Sequence, residues 1–462
     1  MLHQQSILNK NSFWILLALI AAIGTILVGI TDISVISIPS AVFALGSIIL
    51  AFRSPLALLV ALIIVRMSLD YSSQYISITL NDITLSLSQL MGIGIALLGI
   101  LVAIIHHKKI APFPLKTPFL IIGMWGIATL TYSIAPKTTL QELLRFFDLS
   151  ILAFIAYVSV KTAHDFRTIL AAIMISSVLP ILFGFYQYAF GIGLTDENVA
   201  LPRIFGTFSH PNVYSLYLFT LIACASIFLI AYAKNQRERL LSSFIIAAAG
   251  IALFLTFARV AWVALALFIF LLSLFRYRAL LLPLILIPLI LFAASDTFRS
   301  RITESFNPTP DSSIVWRTTL WNDVTSYARQ KNLTTFGSGF DTFPTLSESL
   351  RGDSFGPNEP HNDFVKFFVE GGIIGSIIFA MYLFALLLIM IRRFLQTTQK
   401  SATQNAYGIL ILLFIALEFS AITDNVFKNT PVQWLFFITL GALLALSENE
   451  KASAINQQAR SL

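Results

Sequence analysis

The chain has 462 residues, of which 57% are hydrophobic and 11% charged, with a mean hydropathy of +0.83 and a formal net charge of +7. Soluble domains run at roughly 45–50% apolar and about 25% charged residues, so a water-soluble globular fold is excluded. The 30 lysines and arginines are dispersed and form no basic stripe, which argues against nucleic acid as a partner.

Apolar runs near the ~20 residues that cross a bilayer recur along the chain. They fall at 13–30, 35–51, 55–69, 83–105, 118–134, 146–160, 168–190, 213–233, 240–256, 260–275, 279–294, 371–391, 406–422 and 431–447. In lipid each backbone polar group must be satisfied within its own segment, so these runs are expected as helices. The short alternating segments of a transmembrane barrel are absent. The fold class expected is an all-α polytopic membrane protein with about 12–14 transmembrane helices and a large external loop. The first run, Phe13 to Ile30, lacks a small-residue cleavage site and reads as a retained helix.

Lysine and arginine placement sets orientation. Counted over alternate loops, one side collects most of them, among them Lys108, Lys109, Lys161, Arg167, Arg237, Arg239, Arg392 and Arg393. The other side holds Lys137, Arg145, Arg203, Arg259 and Lys428 in short loops. Both termini are therefore expected in the cytoplasm. The organisation expected is N-terminal helices over 1–199, central helices over 200–294 and a large external loop over 295–370 that carries the site. C-terminal helices follow over 371–447, then a polar, frayed cytoplasmic tail over 448–462.

The external loop stands out. From Ser295 to Lys366 the chain turns to roughly seventy mostly polar residues holding Trp316, Trp321 and the string Pro360-His361-Asn362-Asp363. It then returns to lipid through Glu370-Gly371-Gly372-Ile373-Ile374-Gly375. Three external arginines flank it: Arg203 before Gly206-Thr207-Phe208-Ser209-His210-Pro211-Asn212, Arg259 at a span junction, and Arg317 within the loop. Guanidinium groups stay charged and match phosphate oxygens with paired hydrogen bonds, so the three together suit a polyanion. Taken singly, Arg259 can be a helix-end cation that snorkels, and Arg203 and Arg317 can be solvated charges. Imidazole exchanges protons near neutral pH, which makes His361 at the membrane edge a candidate general base. His210 is the competing candidate.

Other chemistries are poorly supported. There is no phosphate-binding loop with a Lys-Ser/Thr pair and no His-Glu-x-x-His pattern. Asp-x-Asp is missing from the external loops, Gly191-Ile192-Gly193 is too short for a dinucleotide fingerprint, and the single Cys224 permits no disulfide within the chain. No metal or cofactor is expected.

Four motifs in order, Arg203-x-x-Gly-Thr-Phe-x-His-Pro-Asn, Thr256-x-x-Arg259, Arg317 beside Trp316, and His361-Asn362 followed by Glu370-Gly-Gly-x-x-Gly, resemble the O-antigen ligase and polymerase superfamily. The resemblance covers roughly residues 200–440. It implies a GT-C-type glycosyltransferase of the bacterial inner membrane. Such an enzyme takes a glycan from an undecaprenyl diphosphate carrier and gives it to a glycan or lipid-linked acceptor at the external face. By the same resemblance, His361 is the essential histidine and Arg259 and Arg317 contact the diphosphate. Arg203, His210 and Asn212 match a further recurrent motif. Asn362 and Glu370 are expected as supporting residues, and Asp363 or Glu370 as the nearby carboxylate that a retaining route would need. Ala258 departs from the serine common before the arginine. A chain-length regulator is compatible as a partner. The competing reading is a non-enzymatic transporter or flippase of lipid-linked glycans. The enzymatic reading requires Arg259, Arg317 and His361 to share one hollow.

Overall fold

Apolar sequence has few ways to satisfy its backbone in lipid, and this chain takes the helical one. The structure, a computed structural model, describes residues 46–461 apart from 48, 51, 70–76, 81–82, 197–198, 309–311 and 352–357. The runs expected at 13–30 and, for the most part, 35–51 lie outside the described residues.

The helices before the large loop are α1 (Pro55–Leu69), α2 (Leu87–Ile105), α3 (Lys116–Thr129), α4 (Pro136–Ser159), α5 (Ala163–Ser176), α6 (Val178–Ala189), α7 (Pro211–Ile227), α8 (Gln236–Leu255), α9 (Arg259–Phe275) and α10 (Leu281–Ala294). The loop contains α11 (Asp296–Phe306), α12 (Ser313–Gln330) and α13 (Phe343–Arg351). After it come α14 (Asp363–Gln396), α15 (Ala402–Ser420) and α16 (Thr430–Ser461). Two small antiparallel hairpins, β1 (Ser77–Leu80) with β2 (Ile83–Ser86) and β3 (Leu194–Asp196) with β4 (Val199–Arg203), were not expected from the sequence.

The all-α polytopic class holds. Among the described residues seven helices are long and apolar enough to cross a membrane, or eight if α10 and α11, bent by 105°, make one broken span. Several apolar runs proved too short or were merged. Helix α1 has 15 residues, α3 has 14 and α9 has 17. The pair α5–α6 forms one unit over Ala163–Ala189. Helix α4 starts at Pro136, a residue suited to the first helical turn, so Lys137 and Arg145 lie inside it rather than in a loop. The tail is also corrected: α16 stays helical to Ser461. Its Glu448 is tied to Arg393 and to the Tyr157 hydroxyl, which anchors the turn that was expected to fray. Helix α16 is the central post, with 94% of its apolar window buried.

The loop is fastened to this bundle by a break in α14. Gly372 sits at φ +61°, ψ −156°, outside helical geometry. In an unbroken helix the amides of Ile373 and Ile374 would bond the carbonyls of Val369 and Glu370. Here each of the four groups pairs with the loop instead. Ile373 N donates to Thr334 O (2.8 Å) and Ile374 N to Thr335 O (3.3 Å), while Val369 O accepts from Ser338 N (3.1 Å) and Glu370 O from Gly339 N (2.9 Å). The crossing is so close that a Cβ on Gly372 would lie 2.4 Å from the Thr335 carbonyl carbon.

A buried ion cluster completes the lock. Lys366 is fully buried and donates to Asp341 Oδ1 and Glu370 Oε1, both at 2.5 Å. Glu370 also accepts from the amides of Asp341 (2.9 Å) and Phe343 (3.1 Å). Lys428, ahead of α16, reaches the same Asp341 at 3.0 Å. Burial alone would raise the Asp341 pKa, but Lys366 and Lys428 outweigh it and hold the carboxyl at about 2. Removing one member of such a cluster leaves a buried charge uncompensated, at a cost of about 3–5 kcal/mol. Lys366→Met should therefore lower the unfolding free energy of the purified protein by about that amount, read from its thermal or denaturant midpoint. A midpoint equal to wild type would contradict this role.

Candidate functional site

Arg203, at the end of β4, begins a relay that crosses three segments of the chain. Its Nε donates to Thr256 O (2.9 Å) and its Nη2 to Asn212 Oδ1 (2.9 Å). Asn212 Nδ2 donates to Asp424 Oδ2 (2.9 Å), and Asp424 Oδ1 stands 3.1 Å from His361 Nδ1. With the proton on Nδ1 given to Asp424, Nε2 is left as the acceptor, the arrangement a general base needs. Burial by itself would raise the Asp424 pKa. The hydrogen bond from His361 and the Arg317 charge overcome this and keep it below the ordinary aspartate value.

His361 is held in place from both sides. Its backbone lies at φ +48°, a region costly for a residue with a side chain. The preceding carbonyl, Pro360 O, accepts from Trp321 Nε1 (2.6 Å), and the following Asn362 caps α14 by accepting from Val365 N (3.0 Å). Asp363 N donates to Ala421 O (2.9 Å), and Asp363 Oδ2 accepts from Phe427 N (2.7 Å). Arg317, one helical turn before Trp321 on α12, donates from Nη1 to Thr423 O (2.8 Å). Burial presses its pKa below the usual arginine value, opposed by the Asp424 charge, and the group remains a cation.

Arg259 opens α9. Its Nη1 lies 3.3 Å from Glu304 Oε2 and donates to Ser305 Oγ (3.2 Å), while Nη2 donates to Ser313 Oγ (3.0 Å). Arg301 Nη1 meets the same Glu304 oxygen at 3.2 Å. One carboxylate thus holds two guanidinium groups side by side.

These residues line one hollow of about 580 Å³, shared by Arg203, His210, Asn212, Arg259, Arg317 and His361. Its size falls in the ~300–1,000 Å³ range of small-molecule sites. Arg301 and Glu304 are also on its wall, so four guanidinium groups face it and, among the described residues, Glu304 is the carboxylate on the lining. The convergence that the enzymatic reading requires is present.

Two expected supporting residues stand elsewhere. Asn362 serves as a helix cap and does not line the hollow. Glu370 is fully buried in the Lys366 cluster, where both its oxygens are engaged. Neither Glu370 nor Asp363 is on the lining, so neither is the carboxylate that a retaining route would use. Sequence reading missed Asp424, Arg301 and Glu304. Asp424 sits in a short polar turn between two spans with no periodic signal, while Arg301 and Glu304 share the polar helix α11 and are spaced one turn apart.

Residues 243–380 match the O-antigen ligase family model. The match supports placing the chain in the O-antigen ligase and polymerase superfamily. It spans less than a third of the chain and takes in Arg259, Arg317, His361 and the Glu370-Gly371-Gly372 motif, while Arg203, His210, Asn212 and Asp424 lie outside it. Among curated proteins none matches the chain.

His210 has a different electrostatic setting from its neighbours. Burial, reinforced by the Arg203 charge, drops it to about 4, so at neutral pH its uncharged Nδ1 accepts from Asn212 N (3.1 Å) and caps α7. In an unfolded chain imidazole titrates near about 6.5. Between about 6.5 and 4 the unfolded state holds the extra proton, and the contribution to stability is lost as pH falls through that window. The melting temperature should decline over this range. His210→Asn, which keeps an acceptor at the cap, should make that decline shallower; an unchanged slope would contradict the assignment.

Proposed function

We propose that the chain transfers a glycan from undecaprenyl diphosphate to a hydroxyl of a glycan or lipid-linked acceptor within the basic hollow, on the external side of the membrane. The observation that carries this reading is the shared lining of Arg259, Arg317 and His361. The superfamily match supports a membrane glycosyltransferase of the O-antigen ligase or polymerase type.

In the proposed step the acceptor oxygen forms a bond to the anomeric carbon as the bond to the diphosphate oxygen breaks. The electron pair leaves with the diphosphate. His361 Nε2 takes the hydroxyl proton, and Asp424 steadies the imidazolium that results. A lipid diphosphate is already a competent leaving group, so the protein's task is to stabilise the charge that grows on it, which fixed guanidinium groups in a partly dry cavity do well. Arg259 and Arg317 fill that role, and Arg203 fixes the Asn212–Asp424 relay behind His361. Glu304 keeps Arg259 and Arg301 together against their mutual repulsion, and a diphosphate must compete with it for both. With Asp363 and Glu370 spent on structural contacts and Glu304 held by Arg259 and Arg301, direct displacement with inversion is favoured.

The test uses purified protein, an undecaprenyl diphosphate oligosaccharide and membrane-derived acceptor, with released lipid diphosphate as the readout. General-base loss typically costs about 10²–10⁴-fold, so His361→Ala should reduce turnover by that factor, and His361→Asn, which tolerates the positive φ and keeps an amide donor toward Asp424, should do so with the smaller loss of melting temperature. Arg317→Lys should rescue little of the Arg317→Ala defect, because a lysine cannot reproduce the forked contact. Turnover near wild type in His361→Ala or Arg317→Ala would overturn the reading.

A further inference from the structure

A second hollow, of about 350 Å³, lies among α1, α2, α4 and α16 and is also reached by Asp341 of the large loop. Ser209 is on its wall, whereas the next residue, His210, is on the wall of the basic hollow. The 203–212 loop therefore runs between the two cavities.

The chemistry of this second space is different. Glu142, Asp148 and Asp341 line it, together with Arg66, Arg145 and the amides of Gln89 and Gln141. Two of the carboxylates are already engaged: Glu142 with Arg145, and Asp341 with Lys366 and Lys428. Asp148 is not. It is 6% exposed, and its Oδ1 meets no hydrogen-bond partner among the described residues. Arg145, one turn earlier on the same face of α4, buries Nη1 without a partner among the described residues. Gly92 faces Asp148 from α2, and a Cβ there would lie 2.8 Å from Asp148 Oδ2, so the glycine leaves the carboxylate its room.

Buried polar atoms are almost always satisfied; Asp148 and Arg145 both line the hollow, and each keeps a buried atom without a hydrogen-bond partner among the described residues, so a ligand able to donate and to accept suits this wall. A hydroxyl is donor and acceptor at once, and neighbouring hydroxyls of a sugar ring suit a carboxylate beside a guanidinium.

We propose that this second hollow is a saccharide subsite, in which Asp148 and Arg145 hold hydroxyls of a ring of the glycan being joined. This rests on the glycosyl-transfer reading and names where that enzyme grips sugar rather than diphosphate. The ring can belong to the donor glycan or to the acceptor glycan.

The probe is the oligosaccharide released by mild acid from the source cell's polyprenyl diphosphate pool, free of lipid and phosphate, titrated by calorimetry into the full-length protein in lipid nanodiscs. Wild type should bind it. Asp148→Asn, which preserves shape, should weaken binding at least tenfold, and Gln141→Ala, at the exposed mouth where folding is not at risk, should weaken it a few-fold. No binding by wild type, or equal binding by both variants, would overturn the proposal and leave the hollow to water. In the transfer assay the same probe competes with the lipid-linked donor if the subsite holds donor glycan, and inhibits non-competitively toward the donor if it holds acceptor; either pattern supports the subsite. Binding is read without turnover. Transfer that depends on His361 with no such binding would therefore sink this inference alone, while the reading of the basic hollow would stand.

Discussion

One buried carboxylate, Asp424, ties together the parts of the hollow that come from separate regions of the chain. It accepts from Asn212 in the central helices and faces His361 at the edge of the large loop, and Arg317 on α12 lies close enough to lower its pKa. A buried charge is tolerated only when its partners are in place, so the relay from Arg203 through Asn212 is a condition for the orientation of His361 as much as a consequence of it. The imidazole itself sits in a strained backbone conformation, pinned by Trp321 on one side and the α14 cap on the other. That is an over-determined residue, the usual mark of a position where geometry matters more than local ease.

The second constraint lies below the hollow. Glu370-Gly371-Gly372 interrupts α14, and four backbone groups that a continuous helix would pair internally are given to residues 334–339 instead. Non-helical backbone at membrane depth is acceptable only where protein satisfies it. The loop is therefore part of the bundle's own hydrogen bonding, and Lys366 with its two carboxylates fastens it further. This attachment lets α12 present Arg317 and Trp321 at a fixed height over Thr423 and Pro360. In this chain the Glu370-Gly371-Gly372 part of the fourth motif builds the frame, while His361 of the same motif lines the hollow.

Much of this was legible in the residues and some was not. The helical class followed from composition, and the arginine and histidine motifs pointed to groups that do meet in one hollow. Among the described residues fewer helices reach a span's length than there are apolar runs, because hydropathy does not show that α1, α3 and α9 are short or that the α10–α11 pair bends. Asp424 was invisible because its meaning depends on Asn212 and His361, 212 and 63 residues away. The setting of Glu370 was hidden for a similar reason: its contacts with Lys366 and with the Asp341 and Phe343 amides depend on a chain crossing that sequence does not show. The α16 tail was misread because its polarity suggested fraying, while Glu448 has partners on two other helices, Arg393 and the buried Tyr157.

The central claim is that the basic hollow is built to take a lipid diphosphate with the sugar facing His361. The most direct measurement is a cryo-EM structure of the full chain in nanodiscs with undecaprenyl diphosphate added. The account predicts phosphate density in contact with both Arg259 and Arg317, at hydrogen-bonding distances of about 2.7–3.2 Å, with Glu304 displaced from at least one guanidinium. Diphosphate density seated elsewhere, with Arg259 still on Glu304 and the hollow filled by water alone, would contradict it.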